Sequence, residues 1–311
     1  MKPADISYNF SVAKVLSIVM VAAGHYFGGL LWIPTTIALF IFAFSSGYFS
    51  SNKYTGDFSI GKFWKAKVAR LGMSLALINL FLLVLFLFQG RSNLFTWDSL
   101  WGMSGLNAAL AWFGIPYHSP FGAGQWFLTM LYIYYLAYPA IERINRNTKT
   151  ATSFLLVMLA ITTYLNFHVT VGYELWITVF GFILGTYAGR MQARLSFNLS
   201  AAILAISIAA MLILNIYFSL HSLNYYFILI SSFMACNILL VRRLPDTLSP
   251  FIMPFAGCVL EIYLIHTYLF VRFPASAIAG FALSLTLILL TAIALGRINS
   301  FLASAVKSRS T

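Results

Sequence analysis

Charge is the scarcest property of this chain. Only 8% of its 311 residues are Asp, Glu, Lys or Arg, whereas soluble domains average about 25%. Acidic residues are rarer still, with 7 against 19 basic residues, which gives a net charge of +12. Hydrophobic residues make up 61% of the chain. This composition excludes a disordered protein and an ordinary soluble enzyme, and it predicts a membrane protein with many spans.

Cysteine is nearly absent as well. Cys236 and Cys258 both lie in apolar runs, so we expect buried thiols and not a disulfide. We predict no metal site. The excess of positive charge is concentrated in short gaps between apolar runs, where orientation in a membrane explains it, so we expect no nucleic-acid partner.

Ten apolar runs are long enough to cross a membrane, since one span takes about 20 residues. We therefore predict an all-α polytopic protein with one integral-membrane domain over residues 1–311 and no soluble domain. The predicted spans are 8–29, 31–50, 68–89, 124–141, 150–167, 173–190, 198–218, 222–241, 248–271 and 274–299.

The basic residues predict the orientation. With the N-terminus in the cytoplasm, 16 of the 19 fall in cytoplasmic segments, Arg91 and Arg272 fall outside, and Lys14 lies within the first span. This asymmetry predicts that both termini are cytoplasmic. The 16 residues are Lys2, Lys53, Lys62, Lys65, Lys67, Arg70, Arg143, Arg146, Lys149, Arg190, Arg194, Arg242, Arg243, Arg297, Lys307 and Arg309.

Ionisable side chains inside a span are costly, so they are functional candidates. Lys14 and His25 are eleven residues apart, which on a helix is an offset of about 20° and a rise of about 16 Å. We expect both on one face of the first span, with His25 as a buried imidazole, facing an elongated anionic ligand. The alternative is that Lys14 reaches the cytoplasmic headgroups and His25 is a hydrogen-bonded core residue.

The ninth span carries a second group of polar side chains. His266 is expected near the depth of His25, with Tyr263 on the same helical face. Glu261 is about 140° away from His266 around the helix. Glu261 either pairs with Lys14, pairs with a histidine, or is a protonated carboxyl group hydrogen-bonded to a neighbour.

The long outer segment 90–123 is rich in tryptophan. Trp97, Trp101 and Trp112 lie in it, and Trp126 opens the next span. Two interpretations are compatible with this pattern: an aromatic belt at the membrane interface, or a platform that stacks on a sugar ring.

Several segments resemble motifs of the acyltransferase-3 family of membrane proteins. AKVLSIVMVAAGHYF is similar to the family's Arg-x10-His motif, with Lys14 at the arginine position and His25 as the histidine. FIFAFSSGYFS resembles its Phe-x-x-Ser-Gly-Tyr segment, QWFLTMLYIYYLAYP its Trp-x-Leu…Tyr…Pro run, and LEIYLIHTY its Tyr-Leu-x-His segment. The chain departs from the family at three positions: Lys14 replaces the arginine, Ser11 stands where many members have an acidic residue, and Leu131 stands where many have glutamate.

The resemblance implies an O-acyltransferase of the bacterial inner membrane. Its donor would be cytoplasmic acetyl-CoA, and its acceptor a hydroxyl of a cell-surface carbohydrate such as O-antigen or exopolysaccharide, either lipid-linked or free. His25 is then the expected base, with His266, Tyr263 and Glu261 as further catalytic candidates. Lys14, Lys67 and Arg70 are candidates for the CoA phosphates; for the last two, plain membrane anchoring is the alternative.

A secondary transporter or proton-coupled flippase is the competing function, because it too would place Lys, Glu and His inside spans. Transporters often contain internal repeats and paired Gly/Pro interruptions. Neither feature is apparent in this sequence, which favours the acyltransferase.

Overall fold

The computed structural model describes residues 1–54, 58–169, 171, 173–192 and 194–308, and every regular element among them is helical. Arg309, which was counted among the cytoplasmic cations, lies outside the described residues. The α-helices in chain order are α1 (Pro3–Phe27), α2 (Trp32–Lys53), α3 (Ile60–Phe88), α4 (Trp97–Ser104), α5 (Asn107–Trp112), α6 (Trp126–Ile144), α7 (Thr148–His168), α8 (Tyr173–Met191), α9 (Phe197–Phe218), α10 (Asn224–Val241), α11 (Ser249–Ala256), α12 (Val259–Ile265) and α13 (Ala277–Ser308).

Each predicted span coincides with one of these helices or, for the ninth, with a pair. Within the described ranges, seven helices are long and apolar enough to cross a membrane, and a bent pair would make eight. The apolar part of α8, Leu175–Met191, is shorter, and α6 is not among the seven. The helices indicate an integral membrane protein, while the count of ten stays a prediction. The seven are Pro3–Phe27, Gly29–Lys53, Ile60–Phe88, Thr148–His168, Phe197–Phe218, His221–Val241 and Ala277–Ser304.

The predicted span 248–271 is not one straight helix. The two parts, Asp246–Ala256 and Val259–Leu269, are bent by 61° relative to each other. Pro254 lies inside α11 and removes a backbone donor, and Gly257 follows directly after α11 ends. Both residues weaken helix continuation, which explains the break.

Helix α3 begins earlier than predicted. Ser59 caps its first turn by accepting from the Lys62 N–H at 3.4 Å. The helix has 29 residues, a length of about 44 Å at 1.5 Å per residue, against a hydrocarbon core of about 30 Å. A helix of this length extends beyond the apolar layer, so basic residues in its first turns are compatible with a membrane span.

The chain folds as two compact units. The first unit comprises Met1–Gly24, Gly29–Phe58 and Ala137–Pro254. The second unit comprises His25–Gly28, Ser59–Leu136 and Phe255–Thr311. Whether the chain acts as the predicted single domain stays a prediction.

In the first unit, α2 and α8 pack closely along glycine positions. A methyl group at Gly47 would collide with backbone atoms of Phe182 and Thr186, and one at Gly185 would collide with the backbone of Phe44. Small residues let helix backbones approach closely in membranes, where van der Waals packing drives association. Glycine therefore sets the spacing of this helix pair.

Asn9 ties α1 to the end of α10 in the first unit. Its side chain is fully buried, and its Nδ2 donates to Leu239 O and Arg242 O, each at 2.7 Å. Its Oδ1 accepts from the Leu244 N–H at 2.9 Å. These bonds satisfy backbone groups left over where α10 ends.

In the second unit, α3, α12 and α13 pack against one another. The outer segment 90–123, expected to be a loop, contains α4 and α5. Thr96 caps α4 at its start, and Gly105 ends it in the left-handed conformation with φ 73°. Thr129 donates to Gly105 O at 2.6 Å, which fixes this turn against α6.

Candidate active site

Two histidine rings meet in the second unit. The centroids of His25 and His266 are 5.1 Å apart, and the ring planes are tilted by 53°. His25 is in the last turn of α1, and His266 begins a short 3-10 turn, His266–Leu269, after α12. The two histidines that were singled out in separate spans therefore lie side by side.

The environments of the two rings differ. His266 is fully buried. His25 was expected to be buried, and this expectation is wrong, because its side chain is exposed. Lying in the last turn of α1, just before Gly28 at φ 67°, it is covered from fewer sides than a mid-helix residue. An exposed imidazole beside a buried one can be reached by a substrate.

Tyr26 anchors the end of α1 beside this pair. Its hydroxyl donates to Val271 O at 2.9 Å, and its ring packs edge-on against Phe270 at 5.3 Å between centroids. The side chain is 5% exposed. Because Tyr26 directly follows His25, these contacts fix the approach of His25 to the segment that carries His266.

The hydrogen bond of His266 determines its tautomer. Its Nδ1 lies 2.6 Å from Tyr263 O, and because a carbonyl oxygen can only accept, Nδ1 carries the proton. In the neutral ring, Nε2 then holds a lone pair. This nitrogen is buried and has no hydrogen-bond partner among the described residues. Buried polar atoms without partners are rare, which makes this nitrogen a candidate for a functional contact.

Two segments of the second unit, 123–127 and 263–268, are joined by five hydrogen bonds. The Tyr263 hydroxyl makes two of them: it donates to Gly124 O at 2.9 Å and accepts from the Phe127 N–H at 2.9 Å. The latter is one of the free N–H groups at the start of α6. Tyr263 thus holds α6 against α12, and its hydroxyl proton is already used.

Gln125 belongs to the same pair of segments and was not predicted as a site residue. It is 1% exposed, and its Nε2 donates to Leu264 O at 3.0 Å. Its Oε1 is a second buried acceptor without a partner among the described residues. The sequence signal was its position at the opening of a predicted span, beside Trp126.

Glu261 lies in a polar cluster with Ser74 of α3 and Asn299 of α13. Its Oε1 accepts from Ser74 Oγ at 2.8 Å and from Asn299 Nδ2 at 3.3 Å, and Asn299 also donates to Ser74 at 2.8 Å. Glu261 is 3% exposed. Of the three alternatives, the structure shows hydrogen bonding to neighbours. Ser74 and Asn299 could not be predicted as partners of Glu261, because they lie on distant parts of the chain.

The predicted donor-binding residues lie in different surroundings. Lys67 Nζ is 4.1 Å from the ring centroid of Tyr135 and 5.3 Å from that of Phe63, and its side chain is half-buried. Arg70, one turn along α3, is exposed. Lys14 belongs to the first unit, where its Nζ lies 5.8 Å from the ring centroid of Phe49.

The tryptophans of the outer segment are not equivalent. Trp97 is 81% exposed and lines a cavity of about 330 Å³ at the start of α4. Trp101 is 41% exposed, whereas Trp112 and Trp126 are half-buried. Asp98 accepts from the His118 N–H at 2.8 Å, which ties the segment to itself. The indole of Trp97 thus borders this cavity.

Comparison with known families identifies the family to which the chain belongs. The family model described as an acyltransferase domain, that of the acyltransferase-3 family, matches residues 7–297. The chain belongs to this family. No curated protein and no solved structure matches it significantly.

The acyltransferase match covers nearly the whole chain and runs through both units. It confirms the resemblance drawn from the motifs around Lys14, His25 and His266. Together with the apolar helices, it identifies a membrane acyltransferase. Among the described residues, no group of three or more His, Cys, Asp or Glu side chains could hold a metal ion.

Proposed function

We propose that this acyltransferase moves an acetyl group from cytoplasmic acetyl-CoA to a hydroxyl of a cell-surface carbohydrate. The observation that carries the proposal is the His25–His266 pair, in which one ring is exposed and the other holds a buried, unpartnered nitrogen. Acyl transfer to an alcohol requires a proton acceptor near the attacking hydroxyl, and imidazole is the side chain most often used for this task.

In this proposal His25 is the base and His266 orients it. The exposed ring can meet the acceptor hydroxyl and take up its proton. His266 presents a fixed acceptor, Nε2, toward which an N–H of His25 can turn when substrate is bound. Hydrogen bonds of this kind are often longer in the free enzyme than in the substrate complex.

The reaction forms a bond between the acceptor oxygen and the acetyl carbon and breaks the carbon–sulfur bond of acetyl-CoA. The hydroxyl proton passes to His25 and then to the sulfur, which leaves as free CoA thiol. Direct transfer and transfer through an acetyl-histidine use the same pair of rings. A mass increase of one acetyl group on a His25 peptide, after rapid quenching without acceptor, distinguishes the second route from the first.

We assign Tyr263 and Glu261 supporting roles within this site. The Tyr263 hydroxyl is engaged with Gly124 and Phe127, so it positions the turn that carries His266. Glu261 is engaged with Ser74 and Asn299 and fixes α12 between α3 and α13. Gln125 Oε1 remains as a second buried acceptor for a substrate N–H or O–H group.

Lys67 and Arg70 of the second unit are assigned to the CoA phosphates, and Lys14 of the first unit is a separate candidate for an anionic group of the donor. Phosphate oxygens form strong charge-assisted hydrogen bonds with ammonium and guanidinium groups. Arg70 is exposed at the basic end of α3, which supports a contact with a CoA phosphate on the cytoplasmic side. Lys67 lies over aromatic rings, so its ammonium is held in place before the donor arrives.

The acceptor is assigned to the outer segment 90–123 and the start of α6. Trp97 is its main contact, and Trp101, Trp112 and Trp126 are further candidates. The cavity next to Trp97 is lined by apolar and hydroxyl side chains. A neutral sugar ring, as in O-antigen or exopolysaccharide units, fits an indole face and such a lining better than an anionic group would.

We propose ten membrane crossings with both termini in the cytoplasm of a bacterial inner membrane. The seven long apolar helices and the bent pair supply eight, and α6 and α8 supply two more. The 16-to-2 distribution of basic residues supports this orientation.

Mass spectrometry of surface glycans tests the function. Cells that contain the protein should carry acetyl esters that are missing from cells without it and from cells with His25→Ala. A transporter or flippase predicts instead unchanged glycan masses and no binding of acetyl-CoA by the purified protein. Identical glycan acetylation with and without the protein would contradict the proposal.

A further inference from the structure

A second cavity lies in the first unit, whereas the residues assigned to catalysis belong to the second unit. Its volume is about 410 Å³, which is within the range of small-molecule sites, about 300–1,000 Å³. The residues around it come from the start of α2, the end of α7 and the start of α10. In the proposed topology these three helix ends face the side opposite the cytoplasm.

Aromatic side chains form part of the wall. Trp32, Phe167 and Tyr225 line the cavity, and the rings of Phe167 and Tyr225 meet edge-on with centroids 6.2 Å apart. Tyr225 is 3% exposed, whereas Phe167 is 49% exposed. Phe167 therefore offers ring surface that the fold itself does not cover.

Amide and imidazole groups form the rest of the wall. Asn166 lines the cavity, and its Oδ1 is buried with no hydrogen-bond partner among the described residues. Asn224 Oδ1 accepts from Asn215 Nδ2 at 2.6 Å, and Asn224 Nδ2 donates back to Asn215 Oδ1 at 3.0 Å. These reciprocal bonds hold the Asn224 amide in one orientation.

His221 extends this polar network. Its Nδ1 lies 2.5 Å from Asn215 Oδ1, so Nδ1 donates and the neutral ring keeps Nε2 as an acceptor. The lining contains no Asp, Glu, Lys or Arg among the described residues. The wall thus combines aromatic rings with neutral donors and acceptors and lacks any charge that would attract a phosphate or a carboxylate.

We infer that this cavity is a saccharide-binding site for a neutral sugar unit. Sugar hydroxyls can supply the missing donor to Asn166 Oδ1, and the apolar face of a sugar ring can cover Phe167. A lipid acyl chain would leave the amide oxygen unpaired. The inference deepens the proposed function, since a glycan acceptor would have a binding site here besides the reacting hydroxyl.

Saturation-transfer NMR on the full-length protein in nanodiscs tests the inference without any acyl donor. The probes are the methyl glycosides of glucose, galactose and mannose, with choline as the comparison because aromatic walls also bind quaternary ammonium groups. We expect transfer to the ring protons of at least one glycoside. Loss of one stacking contact or hydrogen bond should weaken binding by about three- to tenfold in Phe167→Ala and in Asn166→Ala.

Two controls make the result specific. Tyr217→Ala removes an aromatic residue that is 77% exposed and does not line the cavity, and it should leave binding unchanged. Every sample, including the reference protein, also carries Trp97→Ala, so that sugar binding at the proposed acceptor contact does not contribute to the signal. Two lining variants are used so that a folding defect in one leaves the other to decide.

Three results would overturn the inference: no transfer to any of the glycosides, transfer that Phe167→Ala and Asn166→Ala leave intact, or a response to choline alone. Binding does not depend on His25, so His25→Ala should still bind the glycoside. A failed inference therefore leaves glycan acetylation in place, and a failed acetyltransferase leaves glycoside binding in place.

Discussion

His266 holds the His25–His266 pair in a defined geometry. The Nδ1 of His266 donates to Tyr263 O at 2.6 Å, and its Nε2 is buried with no hydrogen-bond partner in the described part of the chain. The centroids of the His25 and His266 rings are 5.1 Å apart. The proton on Nδ1 and the lone pair on Nε2 follow from a single backbone hydrogen bond. A base oriented by a fixed neighbour is the arrangement that activated hydroxyl groups require.

The two nitrogens of His266 can be tested separately. His266→Asn can keep the donor to Tyr263 O but loses the acceptor at Nε2, so acetyl transfer should fall about 10²-fold, as for a misplaced catalytic group. His266→Gln can place an amide oxygen near the Nε2 position and should retain more activity. Turnover numbers and thermal unfolding of both variants check this. Equal activity in the two variants would show that the Nε2 acceptor is not used.

Tyr263→Phe separates positioning from catalysis. The variant removes one hydroxyl that serves two buried backbone groups, Gly124 O and the Phe127 N–H. An unsatisfied buried group costs about 1–3 kcal/mol, so we expect a lower unfolding temperature and a loss of transfer that partly recovers on cooling. An undiminished unfolding temperature with a large fall in kcat would instead identify the hydroxyl as an oxyanion donor.

The acceptor assignment is tested by Trp97→Ala with Phe113→Ala as the matched control. Both side chains are 81% exposed and lie in the same outer segment, but Trp97 lines the cavity and Phe113 does not. We expect the KM for the glycan to rise about tenfold in Trp97→Ala only, a loss of about 1.4 kcal/mol. Acetyl-CoA binding should be unchanged in both. An equal effect of the two substitutions would indicate an interfacial belt.

Sidedness can be measured with impermeant thiol reagents on whole cells and on inverted vesicles. The native thiols give little background, because Cys236 and Cys258 are 0% and 4% exposed. A cysteine in place of Ser59 should label only from the cytoplasmic side, and one in place of Ser104 only from the outer side. Labelling of both from one side would contradict the ten-span topology.

The positions of the helices were predictable from the sequence because each apolar run is long and its flanks are polar. The break in the ninth span could have been predicted, since Pro254 and Gly257 both weaken a helix. It was not predicted because both residues lie inside a continuous apolar run. The proximity of His25 and His266 followed only from equal expected depth, which does not decide whether two spans are neighbours.

Other parts of the site depend on distant contacts that no local pattern encodes. The exposure of the His25 side chain depends on which parts of the chain pack against the last turn of α1. The hydrogen bonds of the Tyr263 hydroxyl depend on the position of the backbone of residues 123–127. Glu261 met Ser74 and Asn299, which are 187 and 38 residues away along the chain. The spacing of residues along one helix predicts which of them share a face. It does not predict which residues from other parts of the chain contact that face.

The central claim is that His25 is the base for acetyl transfer while Lys14 binds the donor. One pair of variants tests this claim most directly. Labelled acetyl-CoA binding and acetyl transfer to glycan are measured together, in proteoliposomes, for His25→Ala and Lys14→Ala. In His25→Ala, binding should persist while transfer falls about 10²–10⁴-fold, the usual cost of losing a general base. In Lys14→Ala, binding should weaken about 10–150-fold, as expected for a charged hydrogen bond worth about 1.5–3 kcal/mol. Near-normal transfer by a folded His25→Ala protein would contradict the account.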